Sequence, residues 1–172
     1  MEATMHLADA VIAELDQESD STRRVLDRIP EDKLSWRPHR KSMSLGQLAL
    51  HIARTPAGIA HIAAADSVEA PDFANPEPPR SRAEVLEAFE QSLSAAKAFL
   101  HNLSDERAEA PWTMTRGGKP VFTVPRIELI RTIMLRHVYH HRGELCVYLR
   151  LLDVPVPAIY GPSADENPFV SP

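Results

Sequence analysis

The stretch RHVYHHRGEL, residues 136–145, places His137, His140 and His141 within five positions of a segment whose flanks have helical spacing. Side chains four residues apart on a helix lie one above the other, with Cβ atoms about 5–6 Å apart. At that separation two neutral imidazoles, His137 and His141, can reach one metal ion at about 2.0–2.1 Å. His140 projects about 60–100° away from them and is expected at the rim or on the surface. Taken alone, an H-x-x-x-H pair more often marks two partly buried histidines satisfied by hydrogen bonds than a metal site.

His51 alters that balance. It follows Leu48 by three residues and precedes Ile52, beside the apolar stripe of an earlier helix, so it can turn toward the same interior. Three imidazoles from two facing helices can close a metal site in a bundle, and they leave at least one position for water or substrate. The segment lacks the Glu of H-E-x-x-H, which excludes a zincin protease. His61, ten residues beyond His51, stands about 15 Å further along the helix and cannot share the ion. His6, His39 and His101 fall near segment ends or in loops and are expected as surface histidines. Glu144, three residues after His141, either orients a ligand or pairs with Arg142 or solvent. Arg142 itself is read as a surface ion-pair partner or an attractor of anions. Cys146 lies in apolar helical sequence and is expected as an inert buried thiol, and Trp36 and Pro38 as packing for the first long connection.

These side chains need helices to hold them. Residues 4–28 carry apolar positions at Leu7, Val11, Leu15 and Val25, the spacing of an amphipathic helix. A second helix starts after Ser44, where Ser44 and Gln47 have the form of a capping box, and its stripe is Leu45, Leu48, Ile52, Ile59 and Ile62. Pro56 inside it is expected to kink it. DSVEAPDFANPEPPR, residues 66–80, reads as a proline-rich linker. Ser81 and Glu84 repeat the capping signal before a third helix with Val85, Leu86, Phe89, Leu93, Ala96 and Leu100 on one face. Gly117-Gly118 between short β-prone runs fits a small hairpin or an ordered loop. The fourth helix runs from near Pro125 to about Leu152, with a stripe of Ile127, Ile130, Met134, His137, His141, Leu145, Tyr148, Leu149 and Leu152. Four amphipathic helices bury their stripes against one another, so the expected fold is all-α, a four-helix bundle with long connections and one domain over residues 1–172. The proline-rich tail is expected to cover a bundle edge or meet a partner chain.

A chain of 172 residues can bury a substantial core, and its 44% hydrophobic and 25% charged residues are those of an ordinary globular domain. The net charge of -5 argues against a nucleic-acid partner bound through phosphates. One cysteine permits no intramolecular disulfide, and no zinc finger. The acidic first residues do not have the form of a signal peptide, and no apolar run reaches the roughly 18–20 residues of a membrane span, so a cytoplasmic protein is expected, with no membrane partner.

LSWRPHRKSMSLGQLALHIA, HVYHHRGEL and LRLLDVPVPAIYGPSADE, in that order and spacing, resemble the DinB superfamily over nearly the whole chain. The resemblance implies a DinB-type four-helix bundle, often a homodimer, with a divalent ion such as Zn, Ni or Fe held by His51, His137 and His141. Many relatives carry Gln where this chain has Glu144. Characterised relatives include thiol transferases and isomerases that use a low-molecular-weight thiol. The resemblance therefore implies either a metal-dependent thiol S-transferase or related enzyme acting on small electrophiles, or a non-catalytic, stress-associated metal-binding bundle.

Overall fold

The computed structural model describes residues 5–71 and 77–169. Three long helices come first: α1 (Leu7–Asp27), α2 (Leu45–Ala64) and α3 (Arg82–His101). A short α4 (Asp105–Glu109) leads into a hairpin. The last helical run is continuous: α5 (Arg126–Leu129), a π-helical segment (Ile130–Arg136) and α6 (His137–Leu151). α2 packs on α3 along one side and on the π segment and α6 along the other, while α1 packs on α3 and α6, so the four long helices close around one core. No helix among the described residues is long and apolar enough to cross a membrane.

Local chemistry explains where these helices begin. Ser44 accepts from the backbone N–H of Gln47, and the Gln47 side chain returns a bond to the Ser44 N–H at 2.8 Å, the expected capping box. At α3 only half of that motif forms: Ser81 caps Glu84, but the Glu84 carboxylate takes the N–H of Arg80, not that of Ser81. α1 starts at Leu7, a residue whose N–H donates to Asp105 of α4 at 2.8 Å; the expected start at residue 4 lies outside the described residues.

Pro56 does not interrupt α2. The Ala57 N–H beside it donates to Ser92 Oγ of α3 at 2.8 Å, so the neighbouring helix supplies a bond where the proline disturbs the ladder. The helix is buried on most of its circumference, with Leu45, Leu48, Ala49, Ile52, Ala53 and Ala63 all without exposed surface. Each buried leucine or isoleucine there contributes about 1.5–3 kcal/mol.

The bundle carries a small sheet. β2 (Pro111–Arg116) and β3 (Lys119–Pro125) form an antiparallel hairpin whose turn is Gly117-Gly118, at φ 58° and 74°. Both values lie in the left-handed region that this two-residue turn requires and glycine adopts without steric cost. β1 (Ser67–Glu69) pairs in parallel with β2, placing Ser67 opposite Thr113 and Glu69 opposite Thr115. The first residues of the expected linker are thus a strand; residues 72–76 of that linker lie outside the described residues. The Glu69 carboxylate accepts from Thr115 Oγ1 at 2.7 Å and from the Gly117 N–H, so β1 also fastens the turn.

The first connection and the tail are ordered by packing. Trp36 meets Tyr148 of α6 edge to face at 5.7 Å between ring centres, and the Trp36 carbonyl accepts from Leu45 N–H. The tail lies along α1 and α6: Glu166 pairs with Arg24 and Arg28, and Asp165 with Arg150.

Candidate metal centre

The π segment ends where α6 begins, at His137. Its i→i+5 winding shifts the phase of everything that follows, so the apolar stripe drawn through His137 and His141 is corrected. The buried stripe of α6 is Val138, Arg142, Leu145 and Leu149, while His137 and His141 are half-buried on the adjoining edge, toward α2. His51 occupies the matching edge of α2.

The three rings converge through one kind of atom. His137 Nε2 stands 3.0 Å from His51 Nε2 and 3.1 Å from His141 Nε2. Ring centres are 4.3–5.2 Å apart with nearly perpendicular planes, so the nitrogens meet at their tips. His141 Nδ1 lies 2.6 Å from a Glu144 carboxylate oxygen, which can only accept; His141 therefore carries its proton on Nδ1 and turns the lone pair of Nε2 inward. With neutral rings, one proton on His51 or His137 can serve only one of the two short contacts, leaving the other as lone pair against lone pair. A single cation satisfies all three nitrogens. Nitrogens held about 2.0–2.1 Å from one ion stand about 2.9–3.4 Å apart, a range that contains both separations. The donor set thus fits a divalent metal ion, and imidazole suits Zn, Ni, Fe or Cu.

The electrostatics favour ligation. Burial, then the neighbouring His141 and His137, lower the His51 pKa to about 4. Burial, then His141 and His140, also lower that of His137. Both rings are neutral near pH 7, as metal ligation requires.

The other expectations resolve individually. His140 is 65% exposed, with its Nε2 3.3 Å from Glu144, as expected of a rim residue. Glu144 faces His141 and His140, not Arg142. His61, His39 and His101 are exposed, and His6 pairs with Asp105 at 3.4 Å. Cys146 is partly buried, and burial raises its pKa, which keeps the thiol protonated and unreactive. Arg142 is neither a surface ion-pair partner nor an anion collector. It is 1% exposed, and donates to Glu18 Oε2 at 2.6 Å, to Thr22 Oγ1 at 3.0 Å and to Tyr160.

Residues 3–168 match the DinB family. The chain belongs to the DinB family. The uncharacterized protein YrdA of Bacillus subtilis (strain 168) is 25% identical over 156 residues, spanning 87% of this chain and 85% of YrdA. A DinB-like protein from Bacillus cereus ATCC 10987 superposes with a TM-score of 0.66 at 22% identity, covering 84% of this chain and 92% of that one. The DinB-like protein YjoA from Bacillus subtilis also gives 0.66, at 19% identity, covering 87% and 96%. These structural likenesses establish the DinB-like fold, a mainly helical bundle with a small sheet in this chain.

Unread in the sequence is what surrounds the triad. His51 and His137 open onto a cavity of about 610 Å³ lined by α2, the hairpin, α5 and the π segment. Arg54, Thr55 and Gly58, at three, four and seven residues after His51, line it from α2. Their helical spacing from His51 was the available signal; the hairpin wall, Met114 and Phe122, had none.

Proposed function

We propose that this DinB protein binds one divalent ion through His51, His137 and His141 and acts as a metal-dependent thiol S-transferase, or a related enzyme, on small electrophiles. The observation that carries the reading is the convergence of three Nε2 atoms within 3.0–3.1 Å contacts at the edge of a cavity. When bound, the ion would supply Lewis acidity that lowers the pKa of a small thiol and holds it as the nucleophilic thiolate. The chain's own residues do the remaining work. Glu144 fixes the tautomer of His141 by accepting its Nδ1–H, and the low pKa values of His51 and His137 keep their lone pairs available at neutral pH. The apolar walls line the approach to the imidazoles and favour an apolar body beside them. No side chain is assigned as general base.

A second reading rests on the same geometry, because the triad joins α2 to α6 and an ion there would staple two helices of the core. In that reading the ion stabilises a non-catalytic bundle. Protein purified without an affinity tag, analysed for bound metal and titrated with Zn, Ni and Fe, tests both: no uptake overturns them together. Uptake with metal-dependent conjugation of a cellular thiol such as glutathione supports the enzyme. Uptake that raises the melting temperature without conjugation supports the staple. The proposal extends to one bundle domain over the chain and a homodimer, tested by domain-resolved proteolysis and by light scattering.

A further inference from the structure

The cavity beside the triad is apolar on nearly every side. Ile59 and Ile62 of α2, Leu129 and Ile133 before α6, and Met114 and Phe122 of the hairpin supply its walls, and no carboxylate lines it among the described residues. Its volume of about 610 Å³ lies inside the range of small-molecule sites, about 300–1,000 Å³.

Two residues of α2 give it a specific character. Gly58 lies in the middle of a helix, where glycine costs about 1 kcal/mol relative to alanine. A Cβ placed there meets nothing within 4 Å, so the missing side chain leaves the cavity wall open rather than relieving a clash. Arg54, one turn before it, is exposed on the same lining. Among the described residues no hydrogen bond, ion pair or ring contact engages its guanidinium. The cavity's other polar side chain on this face, Thr55, is already committed, donating to the His51 carbonyl at 2.6 Å. A guanidinium with no partner among the described residues, at the border of an apolar cavity, is a docking point for a planar anion, which it can hold through two parallel hydrogen bonds.

We infer that the cavity binds an amphiphilic small molecule: a hydrocarbon body between Ile59, Ile133 and Phe122, with a carboxylate head on Arg54. Because Arg54 and His51 are three residues apart on one helix face, the head and the carbons next to it lie beside the imidazoles. The role of this molecule as substrate rests on the metal reading above. Its binding does not.

The test is calorimetric titration of the full chain, metal-free and zinc-loaded, with two probes of equal length, octanoate and neutral octanamide. Octanoate is expected to bind the metal-free protein at least tenfold more tightly than octanamide. Arg54→Gln should bring the two to parity while octanamide binding persists, and Gly58→Leu should weaken both at least tenfold. Zinc uptake by both variants should match that of the unaltered chain. Equal affinities for the two probes, an Arg54→Gln variant that keeps the preference, a folded Gly58→Leu variant that binds normally, or no binding of either probe would each overturn the inference. Zinc uptake without octanoate binding overturns only the cavity assignment. Octanoate binding without zinc uptake overturns only the metal reading.

Discussion

Glu144 holds His141 from one helical turn away, its carboxylate 2.6 Å from Nδ1, on the side of the ring opposite the nitrogen that meets His137. The bond fixes which nitrogen is free, and it raises the basicity of that nitrogen. Glu144→Ala is therefore expected to lower zinc affinity about 10–100-fold, the usual cost of losing such a partner. Glu144→Gln keeps an oxygen acceptor and should lose less. Competition with a chromophoric chelator measures both, and equal affinities across the three proteins would show that the carboxylate only meets solvent.

The lowered pKa of His51 predicts an acid-sensitive metal-free protein. Its imidazole ionises near 6.5 in the unfolded chain but near 4 in the fold, with burial as the main cause. Between these values the unfolded chain binds more protons, so stability is fully present above about pH 6.5 and is lost as pH falls toward 4. His137 shifts in the same direction and adds to the loss. Urea midpoints across pH 4–7 should fall with acid, and a His51→Gln variant should show a flatter profile. A profile unchanged by that substitution would remove His51 as the source.

What could be read from the chain depended on how local the cause was. The Ser44 and Gln47 cap and the Gly117-Gly118 turn are decided within four residues, and both are where the sequence places them. The three histidines that converge were likewise visible as H-x-x-x-H and a lone His51 beside a stripe. The phase of α6 was not, because it depends on a π segment that no simple residue pattern announces. That one change moved His137 and His141 from the stripe to its edge and put Arg142 into the core. Strand β1 was also illegible: three residues, Ser67–Glu69, become a strand only because β2 arrives from over forty positions later.

Arg142 predicts a large loss of stability for a position that reads as surface. Its guanidinium is buried between Tyr139 and Tyr160, each ring centre 5.2 Å away, and it reaches across to Glu18 and Thr22 of α1. Arg142→Ala would leave the Glu18 carboxylate, itself only 13% exposed, with the Tyr160 hydroxyl but no cation, and should cost about 3–5 kcal/mol in urea unfolding. Pairing Arg142→Met with Glu18→Leu should recover most of it, since neither variant residue needs a charge partner. A loss below about 1 kcal/mol for Arg142→Ala would mean that water replaces the network.

Arg126 predicts a local effect on the wall of the cavity. This residue has no exposed surface, and its charge is met by the end of a helix together with the Asp66 carboxylate. Nε donates to the Ala63 carbonyl at 2.7 Å, and the two Nη groups reach the carbonyls of Arg107 and Ala65 and the Asp66 carboxylate. It thereby closes the C-terminus of α2, where carbonyls have no partner within the helix, and ties it to the start of α5, directly after β3. Arg126→Ala leaves buried carbonyls unpaired and should cost about 2–4 kcal/mol. Because β1 follows α2 and β3 precedes Arg126, the looseness should concentrate in the sheet. Amide exchange at Thr113, whose N–H donates to the Asp66 carbonyl at 3.0 Å, is expected to accelerate more than exchange at Leu93 in α3. Arg126→Lys, which keeps one donor group and the charge, should restore part of the protection, and uniform acceleration through α3 would instead indicate a global loss of stability.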